Sequence, residues 1–386
     1  MRKKKTDSTP DSGLRTPDSH RVWAEVDRAA VKHNLRAIRK AASGARVLAV
    51  LKANAYGHGA IEMARLLVSE GVDCLGVGDS GEALELRLAG IKAPILIVGG
   101  IVPGEMPAVV ERGIEANLHT VSMAEDLNAE AARQKRVARV QLKIDTGMGR
   151  LGMQPFDAVP FLHRLRELKN LKLVGLNTHF SYPYEQNPDF TLRQLERFHV
   201  AVEVARRLGY GDVLLHASSS LALFRHPEAR FNMVRPGVAL WGLAPGDDSG
   251  IAKKLKPVLS LKTRVLFIKD VPEGQPIGYN RTYYTSTQSR IATMPVGYND
   301  GYRRSLSNKA EVLINGVRCP VVGLVSMDYL TVDVTMAREV AVGDEVILLG
   351  GEGDKRISME TLSGWAQCSP YEISCGMGRR VARVYV

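Results

Sequence analysis

Lys52 lies in a ten-residue stretch, Val50-Leu51-Lys52-Ala53-Asn54-Ala55-Tyr56-Gly57-His58-Gly59, whose residue types can do chemistry. The apolar run Val47 to Leu51 reads as a short buried strand, and Gly57 and Gly59 as a turn opening a helix. Lys52 is thereby expected at the exposed end of a strand, on an apolar base, with no carboxylate beside it in sequence. Desolvation at such a place disfavours the ammonium form and frees the amine as a nucleophile or base. A carbonyl cofactor such as pyridoxal phosphate (PLP) is held by this kind of amine as a Schiff base. A lone strand-end lysine more often points into water, so the surroundings decide.

Those surroundings are an alternation of short apolar runs and amphipathic segments from Arg21 to about Lys256. Strands are expected at 47–51, 74–78, 94–98, 115–119, 138–145, 173–179, 212–217 and 233–240, with helices at 28–42, 58–70, 80–89, 122–135, 155–168 and 189–208. Eight strand–helix units in this length point to a (β/α)8 TIM barrel. A doubly wound sheet would place a GxGxxG turn after the first strand, and none is there. Such barrels carry their chemistry at the C-terminal ends of the strands. Lys52, the Asp145 to Arg150 loop, His179, Ser218 to Ser220, and Arg235-Pro236-Gly237-Val238 all fall at such ends.

From Leu255 the texture changes to strand-like runs at 259–268, 290–294, 311–314, 320–325, 330–334 and 345–349. Asn315-Gly316 is a strong hairpin signal, and one helix is suggested at about 359–367, with Ser358 as its N-cap. The chain is therefore read as a disordered tail (1–20), a barrel (21–256) and a predominantly β domain (257–386).

The 386 residues suffice for two domains with real cores, and 45% hydrophobic with 24% charged content is ordinary for a soluble globular protein. No apolar run approaches the roughly 18 residues of a membrane helix. Arg2 to Lys5 begin like a signal peptide, but no apolar stretch follows. The net charge, 52 − 41 = +11, raises the question of nucleic acid. The basic residues are dispersed and lack aromatic interleaving, which favours solubility and attraction of small anions. Cys74, Cys319, Cys368 and Cys375 form no CxxC pair and no metal-ligand spacing, as expected of a reduced, cytoplasmic protein without zinc.

The Lys52 stretch closely resembles the PLP-binding segment of alanine racemases, and the resemblance runs from Val22 to the C-terminus in seven or more separated motifs. It implies that Lys52 carries PLP as an aldimine and that Tyr56 touches the phosphate. Gly237 and Val238 would hold the phosphate through backbone N–H groups, beside the Ser220 hydroxyl. Arg235 resembles the arginine that faces the pyridine nitrogen. A guanidinium has only donors, so that nitrogen must accept and stay unprotonated, which weakens the ring as an electron sink. His179 would support Arg235. Arg150 resembles the arginine that engages the cofactor's phenolic oxygen and the substrate carboxylate, and Lys143 the lysine carbamylated in many members.

Racemisation needs a proton-handling group on each face of a planar intermediate. The resemblance makes Lys52 one and Tyr279 of the partner subunit the other, in a homodimer with shared active sites. Tyr298 and the pair Met327-Asp328 resemble elements that admit substrate and bind its carboxylate, and Tyr371 a tyrosine that touches the phosphate and narrows the pocket. The expectation is interconversion of L- and D-alanine in the cytoplasm, supplying D-alanine for peptidoglycan, with no metal, nucleic acid or membrane partner. Racemisation of serine or lysine, a decarboxylase of related fold and a non-catalytic PLP carrier are the alternatives. Departures lie at the mouth: Ser181-Tyr182-Pro183-Tyr184-Glu185 after Phe180, Leu324 where an arginine is common, and Ser326 for a frequent cysteine.

Overall fold

The computed structural model describes residues 20–244, 250, 252–337, 339–352 and 355–386, so the expected disordered tail lies outside the described residues but for His20. The described chain forms two compact units, Asp27–Val258 and a second made of β1 (Val22–Val26) with Leu259–Val386.

The first unit is the parallel barrel. Its strands are β2 (Arg46–Val50), β3 (Cys74–Val77), β4 (Ile95–Ile97), β5 (Glu115–Leu118), β6 (Ala138–Lys143), β7 (Leu171–Asn177), β8 (Leu214–His216) and β9 (Met233–Val234). They pair in the order β8-β7-β6-β5-β4-β3-β2-β9. The ring closes where Ser219 bridges Arg235, the Arg235 N–H donating to Ser218 O at 2.9 Å. The apolar runs become strands because helices cover their outer faces, which lets both faces of a strand be apolar; Leu48, Ala49, Leu75 and Ile95 to Ile97 are fully buried. The helix Arg28–Ala42 starts at Asp27, whose Oδ1 accepts from Ala30 N at 2.9 Å.

The middle of the barrel is polar. Side chains two apart on a strand share a face, and Glu115 with Asn117 on β5, Gln141 with Lys143 on β6, Asn177 on β7 and His216 on β8 are all buried. Gly175 on β7 makes room for one of them, since a Cβ there would lie 2.8 Å from Gln141 Oε1.

The second unit is built on the sheet β12-β11-β13-β10-β1-β14, with β10 (Leu259–Arg264), β11 (Glu311–Ile314), β12 (Val317–Pro320), β13 (Glu345–Glu352) and β14 (Ala382–Tyr385). β1 pairs antiparallel with β10 and parallel with β14, so residues 22–26, expected within the barrel segment, belong to this sheet. They escape a sequence reading because a five-residue VWAEV run shows no partner until the chain returns more than 200 residues later. Asn315 and Gly316 take φ of 49° and 74° in the turn between β11 and β12. The strand expected at 320–325 lies instead at Val317–Pro320, and beyond it Val321 keeps one bridge to Val332. The expected helix forms as Met359–Ala366 with Ser358 Oγ accepting from Thr361 N, and a further helix, Pro370–Cys375, follows it.

At the C-terminal rim, backbone approach between the β3 and β4 loops requires glycine: a Cβ on Gly99 would fall 2.3 Å from Gly78 O. Gly99→Ala is expected to cost about 1–3 kcal/mol by overpacking. Gly104→Ala, where no atom lies within 4 Å of the added carbon, should be near neutral. Paired urea unfolding curves check this, and equal midpoints for the two variants would refute it.

Candidate active site at the barrel rim

Beyond β2 the chain makes one left-handed turn, with Ala53, Asn54, Ala55 and Tyr56 at φ of 54°, 53°, 54° and 53°. Four consecutive L-residues there are costly, about 1–2 kcal/mol each, so the surroundings must hold them. Glu82 does so from the first turn of the helix Ser80–Leu88, Oε1 accepting from Asn54 N at 3.2 Å and Oε2 from Gly78 N at 2.7 Å. Asn54 Oδ1 accepts from Ala60 N at 2.7 Å, and His58 bonds Ala55 O at 2.8 Å while stacking on Trp241. The sequence shows a turn here but not its hand.

The turn brings Tyr56 against the end of β9, where a Cβ on Gly237 would meet the Tyr56 hydroxyl at 2.8 Å. Ser220 Oγ accepts from Gly237 N at 2.9 Å and Ala239 N at 3.2 Å, so Tyr56, Ser220, Gly237 and Val238 form one small cradle. Lys52 Nζ stands 5.9 Å from the centre of the Tyr56 ring. Contrary to the expected desolvation, Lys52 is exposed in this single chain.

Arg235 is buried, its Nη atoms donating to Thr178 O (2.6 Å), His216 O (2.7 Å), Ala217 O (3.1 Å), His216 Nδ1 (2.9 Å) and His179 Nδ1 (3.4 Å). Among the described residues no acceptor faces its Nε–H. Burial lowers the guanidinium to about 10, so it stays charged at neutral pH. Burial, then the positive charge of Arg235, holds His179 and His216 well below the ordinary imidazole value.

Arg150 ends a loop that Asp145 organises, its Oδ1 accepting from Gly147 N at 3.0 Å, Met148 N at 2.8 Å and Gly149 N at 3.1 Å. Lys143 lies below, donating to Asn177 Oδ1 at 3.4 Å, while Asn177 donates to Asn117 Oδ1 at 2.7 Å. Burial, then Arg235 and Arg150, lower the Lys143 ammonium to about 7. The rim thus gathers three cations, Lys52, Arg150 and Arg235, above a lysine whose charge is weakened, a natural seat for a small anion. Sequence reading missed Glu82, Asn117 and Asn177 and gave His216, at its strand end, no role; for the three strand residues, polar positions within strands that otherwise read apolar were the available signal, and Glu82, on a helix, carried none.

Tyr279, Tyr298, Met327, Asp328 and Tyr371 belong to the second unit. Tyr279, at 69% exposure, sits on a short 3-10 turn, Tyr279–Arg281. Tyr298 and Met327 are 44% and 53% exposed. Arg380 clamps their loops, reaching Asp300 at 2.6 Å and Asp328 at 2.6 Å, while Tyr298 N donates to Ser326 O at 3.0 Å. Ser326 Oγ in turn closes the loop on Tyr329 N at 3.0 Å. Tyr371 lies on the helix Pro370–Cys375. Among the described residues no helix is long and apolar enough to cross a membrane, and no His, Cys, Asp or Glu group could hold a metal ion.

A closed parallel barrel with its reactive side chains at the C-terminal ends of the strands, joined to a separate sheet unit, defines a two-unit barrel enzyme. Residues 26–245 match the family model for the alanine racemase N-terminal domain, and residues 258–385 that for the alanine racemase C-terminal domain. An alanine racemase of Symbiobacterium thermophilum is 44% identical over 364 residues, covering 94% of this chain and 97% of that protein. The solved alanine racemase of Clostridium difficile 630 superposes with a TM-score of 0.89 at 35% identity, over 95% of this chain and 96% of that one. That of Bartonella henselae, solved with covalently bound pyridoxal phosphate, gives 0.83 at 28% identity, over 95% and 99%. The chain belongs to the alanine racemase family and is an isomerase.

The Lys143 shift fixes the sign of a pH effect. Between about pH 7 and the ordinary 10.5, the unfolded chain holds the proton that the folded chain has released. Stability contributed at this position therefore rises with pH through that window and is flat below it. In buffer free of carbon dioxide, the stability of the wild type relative to Lys143→Met should climb from pH 7 toward 10. Urea unfolding at several pH values measures it, and a difference that does not change with pH would contradict the assignment.

Proposed function

We propose that the protein interconverts L- and D-alanine with pyridoxal 5'-phosphate held on Lys52, as a homodimer in which Tyr279 of the partner subunit completes each active site. The observation that carries this is the cradle beside Lys52, where Tyr56, Ser220 and the side-chain-free Gly237 meet at the barrel rim. Main-chain N–H groups and hydroxyls at such a rim suit a phosphate, and Arg235 offers an Nε–H that no described residue accepts. These residues fit the cofactor, and a solved relative carries it covalently bound.

The cofactor, when bound, supplies an electron-withdrawing ring that makes the α-proton of an attached amino acid acidic. Lys52 would hold it, with Tyr56, Ser220, Gly237, Val238 and Tyr371 toward the phosphate. Arg235, kept charged and supported by His179, gives the ring nitrogen a donor and no proton, favouring return of the α-proton over side reactions. Lys52 and Tyr279 of the partner subunit serve as the two proton-handling groups, one on each face of the α-carbon. Arg150 would bind the substrate carboxylate, aided by Met327 and Asp328, with Tyr298 at the mouth. The lowered Lys143 amine suits carbamylation, which would replace a cation beside Arg150 by an anion that pairs with it. The exposure of Tyr279, Tyr298 and Met327 on one unit supports a partner surface. Cytoplasmic supply of D-alanine to peptidoglycan completes the reading.

Lys52→Ala should abolish both the visible absorption of lysine-bound cofactor and turnover; near-normal activity of that variant would sink the scheme. Tyr279→Phe should slow the L-to-D and D-to-L directions unequally, against equal and mild losses if one group serves both faces. Both are read with α-proton exchange in heavy water on L-alanine, L-serine and L-lysine. Exchange mainly on serine or lysine would move the substrate and keep the chemistry.

A further inference from the structure

A chain of polar side chains crosses the barrel interior beneath Arg235. Arg235 Nη1 lies 2.9 Å from His216 Nδ1, His216 Nε2 lies 2.6 Å from Gln141 Oε1, and Gln141 Nε2 lies 2.9 Å from Glu115 Oε2. Glu115 Oε1 accepts from Arg139 Nε at 2.8 Å. Gln141 and His216 are fully buried and Glu115 is 2% exposed, whereas the Arg139 side chain is 48% exposed.

The direction of this chain follows from its ends. A guanidinium can only donate and a carboxylate can only accept. Glu115 therefore requires the amide nitrogen of Gln141, which turns the Gln141 oxygen to His216. That oxygen requires a proton on His216 Nε2, and Arg235 requires a bare Nδ1. Every link agrees. One imidazole tautomer satisfies the whole set, and the opposite tautomer would set two donors face to face at Nδ1 and two acceptors at Nε2, each a buried mismatch. Gly175 is part of the device, because any side chain there would displace Gln141.

We propose that Glu115 and Gln141 are positioning residues for Arg235: through His216 they fix one tautomer and thereby lock the guanidinium that faces the rim. The Glu115 carboxylate also stands as the anion of the line, relayed by two neutral groups, so Arg235 is oriented without being neutralised. A carboxylate bonded directly to it would weaken the guanidinium as a donor toward the rim. The catalytic consequence rests on the reading of Arg235 given under Proposed function, and the tautomer does not.

The test uses the full-length protein labelled with nitrogen-15 in its histidine rings. His216 is assigned by its loss in His216→Asn, and its tautomer is read from two-bond proton–nitrogen correlations. The wild type should show a bare Nδ1 and a protonated Nε2. Glu115→Gln, which lets the amides on both sides turn over, and Gln141→Met, which leaves Nε2–H without an acceptor, should each release the guanidinium from Nδ1 and populate the Nδ1–H form. Arg139→Met, which removes only the exposed cation, should leave the tautomer as it is. In holoenzyme assays the first two variants should lower kcat about tenfold with KM for alanine within about twofold, the pattern of a lost transition-state interaction; Arg139→Met should change neither. A protonated Nδ1 in the wild type, or an unchanged tautomer in folded Gln141→Met, overturns the proposal. A shifted tautomer with unchanged kcat also overturns it, as a positioning role. Absence of racemisation in the wild type with the expected tautomers would instead fault the functional reading.

Discussion

A guanidinium buried inside a parallel barrel, with no carboxylate paired to it among the described residues, is the constraint on which the rest of the site depends. Removing a charge from water is costly, and direct ion pairing is only one way to offset it. Arg235 is instead met by three main-chain carbonyls and two imidazoles. Those carbonyls belong to Thr178, His216 and Ala217 at and just beyond the ends of β7 and β8, and His216 O accepts from Thr178 N as well. The retained charge then acts on its neighbours. Burial first, and then this charge, hold His179 and His216 well below the ordinary imidazole value and lower the Lys143 ammonium to about 7. One uncompensated cation thus adds to what burial does at three neighbouring groups.

The second constraint is steric. Four residues in the left-handed region are an expensive way to leave a strand, yet this turn swings Tyr56 to within contact of Gly237 across the barrel seam. A right-handed turn would send the tyrosine elsewhere. Glu82, on the first turn of the helix Ser80–Leu88, accepts from Asn54 N and Gly78 N and so ties that strained segment to its neighbour. The strain and the tie lie beside the lysine expected to react, where a fixed amine has most value.

Much of this was legible in the sequence. Eight largely apolar runs at barrel spacing gave the strands, because β2 to β9 are mostly buried on both faces, with polar residues confined to a few positions such as Glu115, Gln141 and Asn177. The rim residues followed from the strand ends. Three things were hidden. β1 carries no local sign that its partners lie at Leu259–Arg264 and Ala382–Tyr385. The hand of the Lys52–Tyr56 turn is set by Glu82 and by packing on Trp241, not by Ala53 or Ala55, which prefer right-handed helix. Lys52 reads as desolvated only when its cover is assumed, and in a single chain it is exposed. The burial that Lys52 chemistry calls for would have to come from whatever covers the rim.

The polar barrel interior connects these points. An apolar core would stabilise the ring at less risk, since every buried polar group must find its partner. Here Glu115, Asn117, Gln141, Asn177 and His216 occupy inward positions, and each is hydrogen-bonded. Two lines emerge from that interior: Asn117 and Asn177 lead to Lys143, while Glu115, Gln141 and His216 lead to Arg235. Each line ends on a cation at the rim. The interior therefore serves as a rigid mount whose directional bonds aim charges that apolar side chains could bury but not orient. Its cost in core burial is tolerable because the helices outside the ring, from Arg28–Ala42 to Asp189–Arg207, bury apolar faces of their own against the strands.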